Sequence, residues 1–136
     1  MRYHPAHGDI VEEISANHIG VSFNVLAERL RGRVSRARLL SEIRSLQHED
    51  LVRAEPDPRH KQRKMFRLGQ KLQSALDNLR PIEEKALEDP LGSMPVLISC
   101  YADAIRGARE EWLREFMKHR LQAFVSRSLE SIEGGA

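Results

Sequence analysis

The densest basic stretch of the sequence is PDPRHKQRK, residues 56–64. Its cations are Arg59, Lys61, Arg63 and Lys64. Cations at this spacing can neutralise the phosphates of a polyanion, or they can simply solvate an exposed loop. Pro56 and Pro58 stiffen the stretch, and Asp57 between them is a typical turn former. We therefore expect a basic tip that is displayed at the protein surface.

A second basic group lies upstream, where a helical pattern begins. Its polar members are Arg31, Arg33, Ser35, Arg36, Arg38 and Ser41. Ser35 is a typical N-cap, and the amides and dipole at a helix N-terminus favour phosphate. Arg36 or Arg38 could instead fork onto a guanine edge in the DNA major groove. Arg31 and Arg33 in the preceding turn are placed for backbone phosphates.

Charge is distributed unevenly along the chain of 136 residues. Residues 22–71 contain 13 Lys/Arg and 6 Asp/Glu, whereas the remaining segments contain 9 and 14. The net charge of +2 therefore conceals a basic centre in an acidic remainder. This pattern favours one surface for a polyanionic partner, with chance clustering on a solvated face as the alternative.

Composition restricts the class of protein. A hydrophobic content of 40% beside 31% charged residues supports a folded core and argues against disorder. No apolar run approaches the roughly 20 residues of a membrane span, and the N-terminus lacks a signal-peptide core. The single cysteine, Cys100, cannot form an internal disulfide, which favours the cytoplasm.

Three short amphipathic helices are predicted ahead of the basic stretch, over residues 9–19, 23–31 and 36–49. Their expected N-caps are Asp9, Ser22 and Ser35. The third helix has the apolar stripe Leu39, Leu40, Ile43 and Leu46. A helix-turn-helix is therefore predicted, with the third helix as the recognition helix.

Two short strands flank the basic tip. Val52 and Ala54 share one face of the first strand, and Phe66 and Leu68 share one face of the second, which is period-two alternation. Three helices followed by a basic hairpin predict a winged helix-turn-helix, mainly α with a small β-hairpin wing. In that fold helix 36–49 enters the major groove and the wing, 56–64, lies along the minor groove.

The remainder of the chain is predicted to be helical. Helices are expected at 70–79, 81–88, 96–105 and 109–132, with a break at 89–95. The last helix carries the apolar residues Trp112, Phe116, Leu121, Phe124 and Leu129, which are predicted to form a homodimer. Intramolecular packing against residues 70–105 is the alternative. The expected organisation is a tail (1–8), a DNA-binding domain (9–80), a dimerisation region (81–132) and a second tail (133–136).

Three segments resemble the multiple-antibiotic-resistance regulator (MarR) family of winged-helix transcription factors. They are LAERL (26–30), SRARLLSEIRSLQHEDLV (35–52) and PDPRHKQRKMFRL (56–68). The resemblance implies a homodimer that binds a palindromic operator, often as a repressor, and in many members a small-molecule effector. It also implies that Asp57 braces the wing through an arginine, with Arg63 as the better-placed partner, and that Arg59 reaches the minor groove.

The chain departs from the MarR pattern at several points. The turn 31–34 is about two residues longer than usual, and Asp50 stands where the family generally has glycine. Aspartate tolerates the left-handed backbone that glycine adopts there. The further N-terminal helix of the family is lacking, which is closer to the layout of the phenolic-acid-decarboxylase regulator (PadR) family.

Enzyme chemistry finds little support in the residues. There is no Gly-rich phosphate loop, nucleophile elbow or Cys–His cluster. His4 and His7 have ligand-like spacing without an obvious third ligand. We expect no catalytic residue, metal or cofactor, and an inert thiol at Cys100, with redox sensing as the minority alternative.

The predicted function is a sequence-specific regulator of transcription that binds double-stranded DNA as a homodimer, and a repressor is expected rather than an activator. Two alternatives remain open. The winged helix could serve as a protein-interaction module, or the chain could be a replication or partition factor of a mobile element.

Overall fold

The computed structural model describes residues 1–17 and 19–134. The chain divides into two compact units. The N-terminal unit comprises Met1 and Tyr3–Gln73, and the C-terminal unit comprises Arg2 and the residues from Ser74 onward.

The first helix, α1, spans Pro5–Ser15. Its N-cap is His4, whose ring accepts a hydrogen bond from the Ala6 N–H at 3.0 Å, and Pro5 occupies the first helical position. The N-cap predicted at Asp9 is therefore wrong by five residues. A histidine nitrogen supplies the cap acceptor here, so the usual search for Ser, Thr, Asp or Asn missed it.

The next elements are β1 (Val21–Ser22), α2 (Phe23–Arg29) and α3 (Arg36–His48). The predicted caps at Ser22 and Ser35 are confirmed, because their hydroxyls accept from the N–H groups of Val25 and Arg38 at 3.3 and 3.2 Å. Three of the four predicted apolar residues of α3 are buried: Leu39, Ile43 and Leu46. Leu40 is 41% exposed, so its assignment to the buried stripe is wrong.

A three-stranded antiparallel sheet completes the N-terminal unit. Strand β2 spans Val52–Asp57 and β3 spans His60–Leu68, and the strand order is β1-β3-β2. Only residues 58 and 59 form the turn, so the strands extend further than the loop predicted at 56–64. Val52 pairs with Leu68 and Ala54 with Phe66, as the alternation predicted.

The base of the hairpin is closed by tight backbone contacts. Asp50 has φ +59°, so the expected left-handed aspartate is present. The Gly69 N–H donates to the Leu51 carbonyl at 2.8 Å. A Cβ at Gly69 would lie 2.0 Å from the Asp50 carbonyl oxygen, so only glycine fits where β3 passes into the following helix.

The order α1–β1–α2–α3–β2–β3 with sheet order β1-β3-β2 is that of a winged helix-turn-helix. Helix α1 contacts α2, α3 and β3, and α3 contacts β2, so one core joins the helices to the sheet. The predicted fold class, mainly α with a small β-hairpin wing, is confirmed.

Three long helices follow: α4 (Gln70–Glu88), α5 (Pro90–Gly107) and α6 (Glu111–Gly134). Two predicted interruptions are wrong. Pro81 lies inside α4, and Asp89, the N-cap of α5, alone separates α4 from α5. A proline removes one helical hydrogen bond, but its fixed φ is compatible with a helix. Burial of the apolar stripe of α4 can therefore keep the helix continuous through Pro81. That stripe contains Leu72, Leu76, Leu79 and Ala86.

The C-terminal unit has its own core, in which α5 packs against α6. Glu83, Tyr101 and Arg120 form a hydrogen-bonded cluster in it. Arg120 Nε donates to Glu83 Oε2 at 2.8 Å, and the Tyr101 hydroxyl donates to the same oxygen at 2.7 Å. Burial and the hydrogen bond to Glu83 raise the pKa of Tyr101, so the hydroxyl stays protonated. Within residues 1–17 and 19–134, no helix has the length and apolar character needed to cross a membrane.

Candidate nucleic-acid interface

The outer face of α3 points away from the core. Its exposed side chains are Ala37, Leu40, Ser41, Arg44, Ser45 and His48. Ser41 was predicted to contact DNA and lies on this face. Arg44 was not singled out from the sequence, although it lies three residues after Ser41 and therefore on the same side of the helix.

Arg36 is held against α2. Its Nη2 donates to Asn24 Oδ1 at 2.8 Å, and its guanidinium lies 5.0 Å from the centroid of the Phe23 ring. This arrangement combines a hydrogen bond with a cation–π contact. The predicted fork of Arg36 onto a guanine edge therefore requires both contacts to be released.

Arg38 belongs to a ring of four residues that joins α1 to α3. Its Nε lies 3.8 Å from Glu42 Oε1, and its Nη2 lies 3.0 Å from His4 Nε2. The third contact is between His7 Nε2 and Glu42 Oε2. His7 Nδ1 accepts from the backbone N–H of His4 at 3.1 Å, so the neutral ring carries its proton on Nε2 and donates it to Glu42. Arg38 is thus directed toward α1 and engaged, whereas the sequence indicated a free side chain.

His7 is 2% exposed at the centre of this ring. Burial is the largest effect and lowers the pKa of His7 below its ordinary 6.5. The Glu42 carboxylate opposes that shift, and the charges of His4 and Arg38 reinforce it. Sequence reasoning noted His4 and His7 only as a ligand-like pair, because nothing local connects them to α3.

The arginines between α2 and α3 have acidic neighbours. Arg33 Nη2 donates to Glu13 Oε1 at 3.4 Å, and Arg31 Nη1 lies 3.8 Å from Glu28 Oε1. Both arginines are exposed. Exposed pairs of this kind contribute at most about 1 kcal/mol, so a phosphate can compete for either guanidinium.

The wing is built around an irregular ladder. Pro56 pairs with Lys64 and Asp57 pairs with His60, so residues 61–63 bulge out of β3. Bulges bend a strand and redirect its side chains. The Asp57 carboxylate accepts from the Arg59 N–H at 2.9 Å, which stabilises the turn. In the part of the chain that the structure describes, Asp57 makes no ion pair with the arginine expected to brace it, Arg63.

The tip of the wing is basic and exposed. Arg59, Arg63 and Lys64 are solvent-exposed, and the side chain of Lys61 lies outside the described residues. A pocket of about 440 Å³ lies beside the tip. It is lined by Ile19, Asp57, Pro58, Arg59, His60, Arg63 and Met65. Arg53 and Arg67, nearer the base, both lie close to Glu55, at 3.4 and 3.3 Å.

The residues predicted for dimerisation divide between two faces of α6. Trp112, Phe116 and Phe124 are buried within the single chain, and the first two rings stack with centroids 5.3 Å apart. The intramolecular alternative therefore accounts for these three. A different face carries Leu121, Val125, Leu129 and Ile132, of which Leu129 is 55% exposed.

Cys100 is partly buried and lines a pocket of about 400 Å³ within the C-terminal unit, with Asp103 and Met117 among its neighbours. No cluster of three His, Cys, Asp or Glu side chains suited to a metal occurs in residues 1–17 and 19–134. His4 and His7 are instead used by the α1 cap and the contact with Glu42.

No protein-family model and no curated protein matches the chain. Two solved structures are similar in fold, both of mutant forms of ZitR from Lactococcus lactis. Their identities to this chain are 15% and 12%, with TM-scores of 0.49 and 0.48. Each match covers 93% of this chain and 76% of the ZitR chain. The winged-helix assignment rests on the element order and strand order described above.

Proposed function

We propose that this chain is a transcriptional regulator that binds double-stranded DNA sequence-specifically. The observation that carries the proposal is a set of exposed cations on the two protruding elements of the winged helix. They are Arg44 on α3 and Arg59, Arg63 and Lys64 on the wing. Among the described residues none of the four has an ion-pair partner, so no protein carboxylate must be displaced when they meet phosphate.

The shapes of the two elements suit the two grooves. The side chains on the outer face of α3 are exposed in the described structure, and an α-helix fits the major groove, where base edges are distinguishable. The wing extends arginines on a narrow hairpin, which suits a minor groove with strong negative potential. Arg31, Arg33, Ser35 and Ser41 are proposed as further DNA contacts, together with Lys61. Arg36 and Arg38 join them if their present contacts are exchanged on binding.

A homodimer is the proposed working form. The apolar stripe of Leu121, Val125, Leu129 and Ile132 on α6 is separate from the buried face of that helix, and a second copy would cover it. A two-fold dimer fits a palindromic operator and doubles the phosphate contacts. The proposed role is repression in the manner of the MarR family, with a PadR-like layout as the alternative. A small-molecule effector would bind in the pocket beside Cys100.

Selection of bound fragments from the organism's own DNA, beginning upstream of the gene, tests the proposal. Arg59→Ala and Arg63→Ala should each weaken binding across sequences and reduce the slope of log affinity against log salt by about 0.9. Arg109→Ala is the matched control, because Arg109 is also exposed but lies on the C-terminal unit. It should leave both affinity and slope unchanged.

The outcome of the selection separates the alternatives. Enrichment of no fragment at moderate salt would reject DNA regulation and favour a protein-interaction module. Enrichment of an origin in place of a promoter would favour a replication or partition factor. Equal slopes for the Arg59→Ala, Arg63→Ala and unmodified proteins would remove the wing from the interface.

A further inference from the structure

We infer that Leu40 and Arg44 on α3 read a thymine methyl group and a nearby guanine in the operator. The inference rests on the proposed function and adds to it the base chemistry that the protein selects. The spacing of the sequence alone assigns Leu40 to the core and does not distinguish Arg44 from the other arginines of α3.

Leu40 is not needed by the core of the N-terminal unit. Leu39, Ile43 and Leu46 are each at most 1% exposed and fill the buried side of α3. Leu40 lies at the border of that stripe, 41% exposed, beside the polar residues Ser41 and Arg44. The branched apolar end of Leu40 is therefore exposed on the side of α3 that would enter a DNA groove.

Arg44 differs from the other arginines of α3. Arg36 is bonded to Asn24, and Arg38 is paired with Glu42 and lies beside the His4 ring. Arg44 is exposed, and within the described residues no side chain pairs with it. It is thus the arginine of α3 whose whole guanidinium fork can turn to a base without losing a protein contact.

The two side chains match two neighbouring features of the major groove. Thymine presents its C5 methyl group, and guanine presents the acceptors O6 and N7, which a guanidinium can bind bidentately. Leu40 and Arg44 lie four residues apart on the same side of α3, a rise of about 6 Å. Base pairs repeat every ~3.4 Å, so the thymine and guanine should lie within about two base steps.

Removing single atoms from the operator tests the pairing directly. In the DNA selected by the unmodified protein, each thymine is replaced in turn by deoxyuridine, which lacks only the methyl group. One such replacement per half-site should weaken binding by about fourfold, the effect of burying one methyl group. Leu40→Ala should remove this penalty. Val25→Ala should retain it, since Val25 is 40% exposed on α2 and serves as the matched control.

The guanine is tested in the same way with 7-deazaguanine, which lacks the N7 acceptor. Replacement of one guanine near the identified thymine should weaken binding by the unmodified protein about tenfold or more, within the range for a bidentate contact. Arg44→Ala should bind both operators equally.

Base reading by Leu40 and Arg44 and DNA binding by the whole protein are tested separately. If Leu40→Ala and Arg44→Ala keep the full penalties, the reading pair is wrong while sequence-specific DNA binding stands. If the unmodified protein selects no DNA, both the pair and the proposed function are wrong. Circular dichroism checks that each variant retains its helices.

Discussion

At the residue scale, the contacts of His7 join α1 to α3. The ring is buried in a neutral form, caps the backbone of His4 through Nδ1 and donates to Glu42 on α3 through Nε2. Glu42 also lies near Arg38, so a change in His7 can reach a second residue of α3, a helix proposed to contact DNA. Protonation of His7 would place a proton on Nδ1, the atom that now accepts a hydrogen bond from the His4 N–H.

The pH dependence of stability follows from the lowered pKa of His7. The unfolded chain takes up a proton near pH 6.5, whereas the folded chain does so only at lower pH. Stability from this residue is therefore present above the unfolded pKa and falls as the pH drops below it toward the folded pKa. Denaturant unfolding between about pH 7.5 and pH 5 should show a larger loss for the unmodified protein than for His7→Gln.

A control histidine isolates the effect of burial. His48 is exposed at the end of α3, so His48→Gln should lose stability on acidification as the unmodified protein does. An identical pH profile for His7→Gln and the unmodified protein would show that His7 does not titrate differently on folding.

At the element scale, the wing depends on how β3 passes into α4. Gly69 lies against the backbone of Asp50, and Asp50 holds a left-handed conformation at the start of the hairpin. Both positions lie at the base of the hairpin, where β2 begins and β3 ends. The irregular ladder at the other end of the hairpin displaces residues 61–63. Two of these three residues, Lys61 and Arg63, are basic.

Gly69→Ala should destabilise the N-terminal unit by about 1–3 kcal/mol, the usual cost of overpacking. The added methyl group would overlap a backbone carbonyl that cannot rotate away. Gly107→Ala is the matched control, since nothing lies within 4 Å of its Cβ position. Urea unfolding should show little change or a slight gain for the control. Equal midpoints for Gly69→Ala and the unmodified protein would contradict the close approach.

At the scale of the whole molecule, α6 has two apolar faces with different roles. The buried face, which includes Trp112, Phe116 and Phe124, stabilises the C-terminal unit of one chain. The exposed end of the other face, Leu129 and Ile132, is the proposed contact with a second chain. Dimerisation would place two winged helices on one operator. The affinity of the dimer for the whole operator would then exceed the affinity of one winged helix for one half-site.

Leu129→Glu and Ile132→Glu should each convert the dimer to a monomer in sedimentation measurements. A buried carboxylate without a partner is costly, so even one substitution should suffice. Ser131→Glu adds the same charge at an exposed position about 100° around α6 from Ile132 and should leave the dimer intact. Operator binding should weaken in parallel with dimer loss. A monomeric unmodified protein would instead reject the dimer proposal.

Local features of the sequence determined much of the fold. Period-two alternation located both strands of the hairpin, and Ser22 and Ser35 cap α2 and α3 as predicted. Asp50 occupies the left-handed conformation expected of it. These features depend on hydrogen bonds and side-chain periodicity within a few residues, so they can be recognised without knowledge of distant segments.

The tertiary structure alone decided which polar and apolar groups remain free on the surface. Arg36 and Arg38 look as available in the sequence as Arg44, yet Asn24 holds the first and Glu42 pairs with the second. Leu40 has the spacing of a core residue and lies outside the core. The reason is physical: whether a side chain is engaged or exposed depends on which remote segments pack beside it, and this packing is not encoded in local spacing.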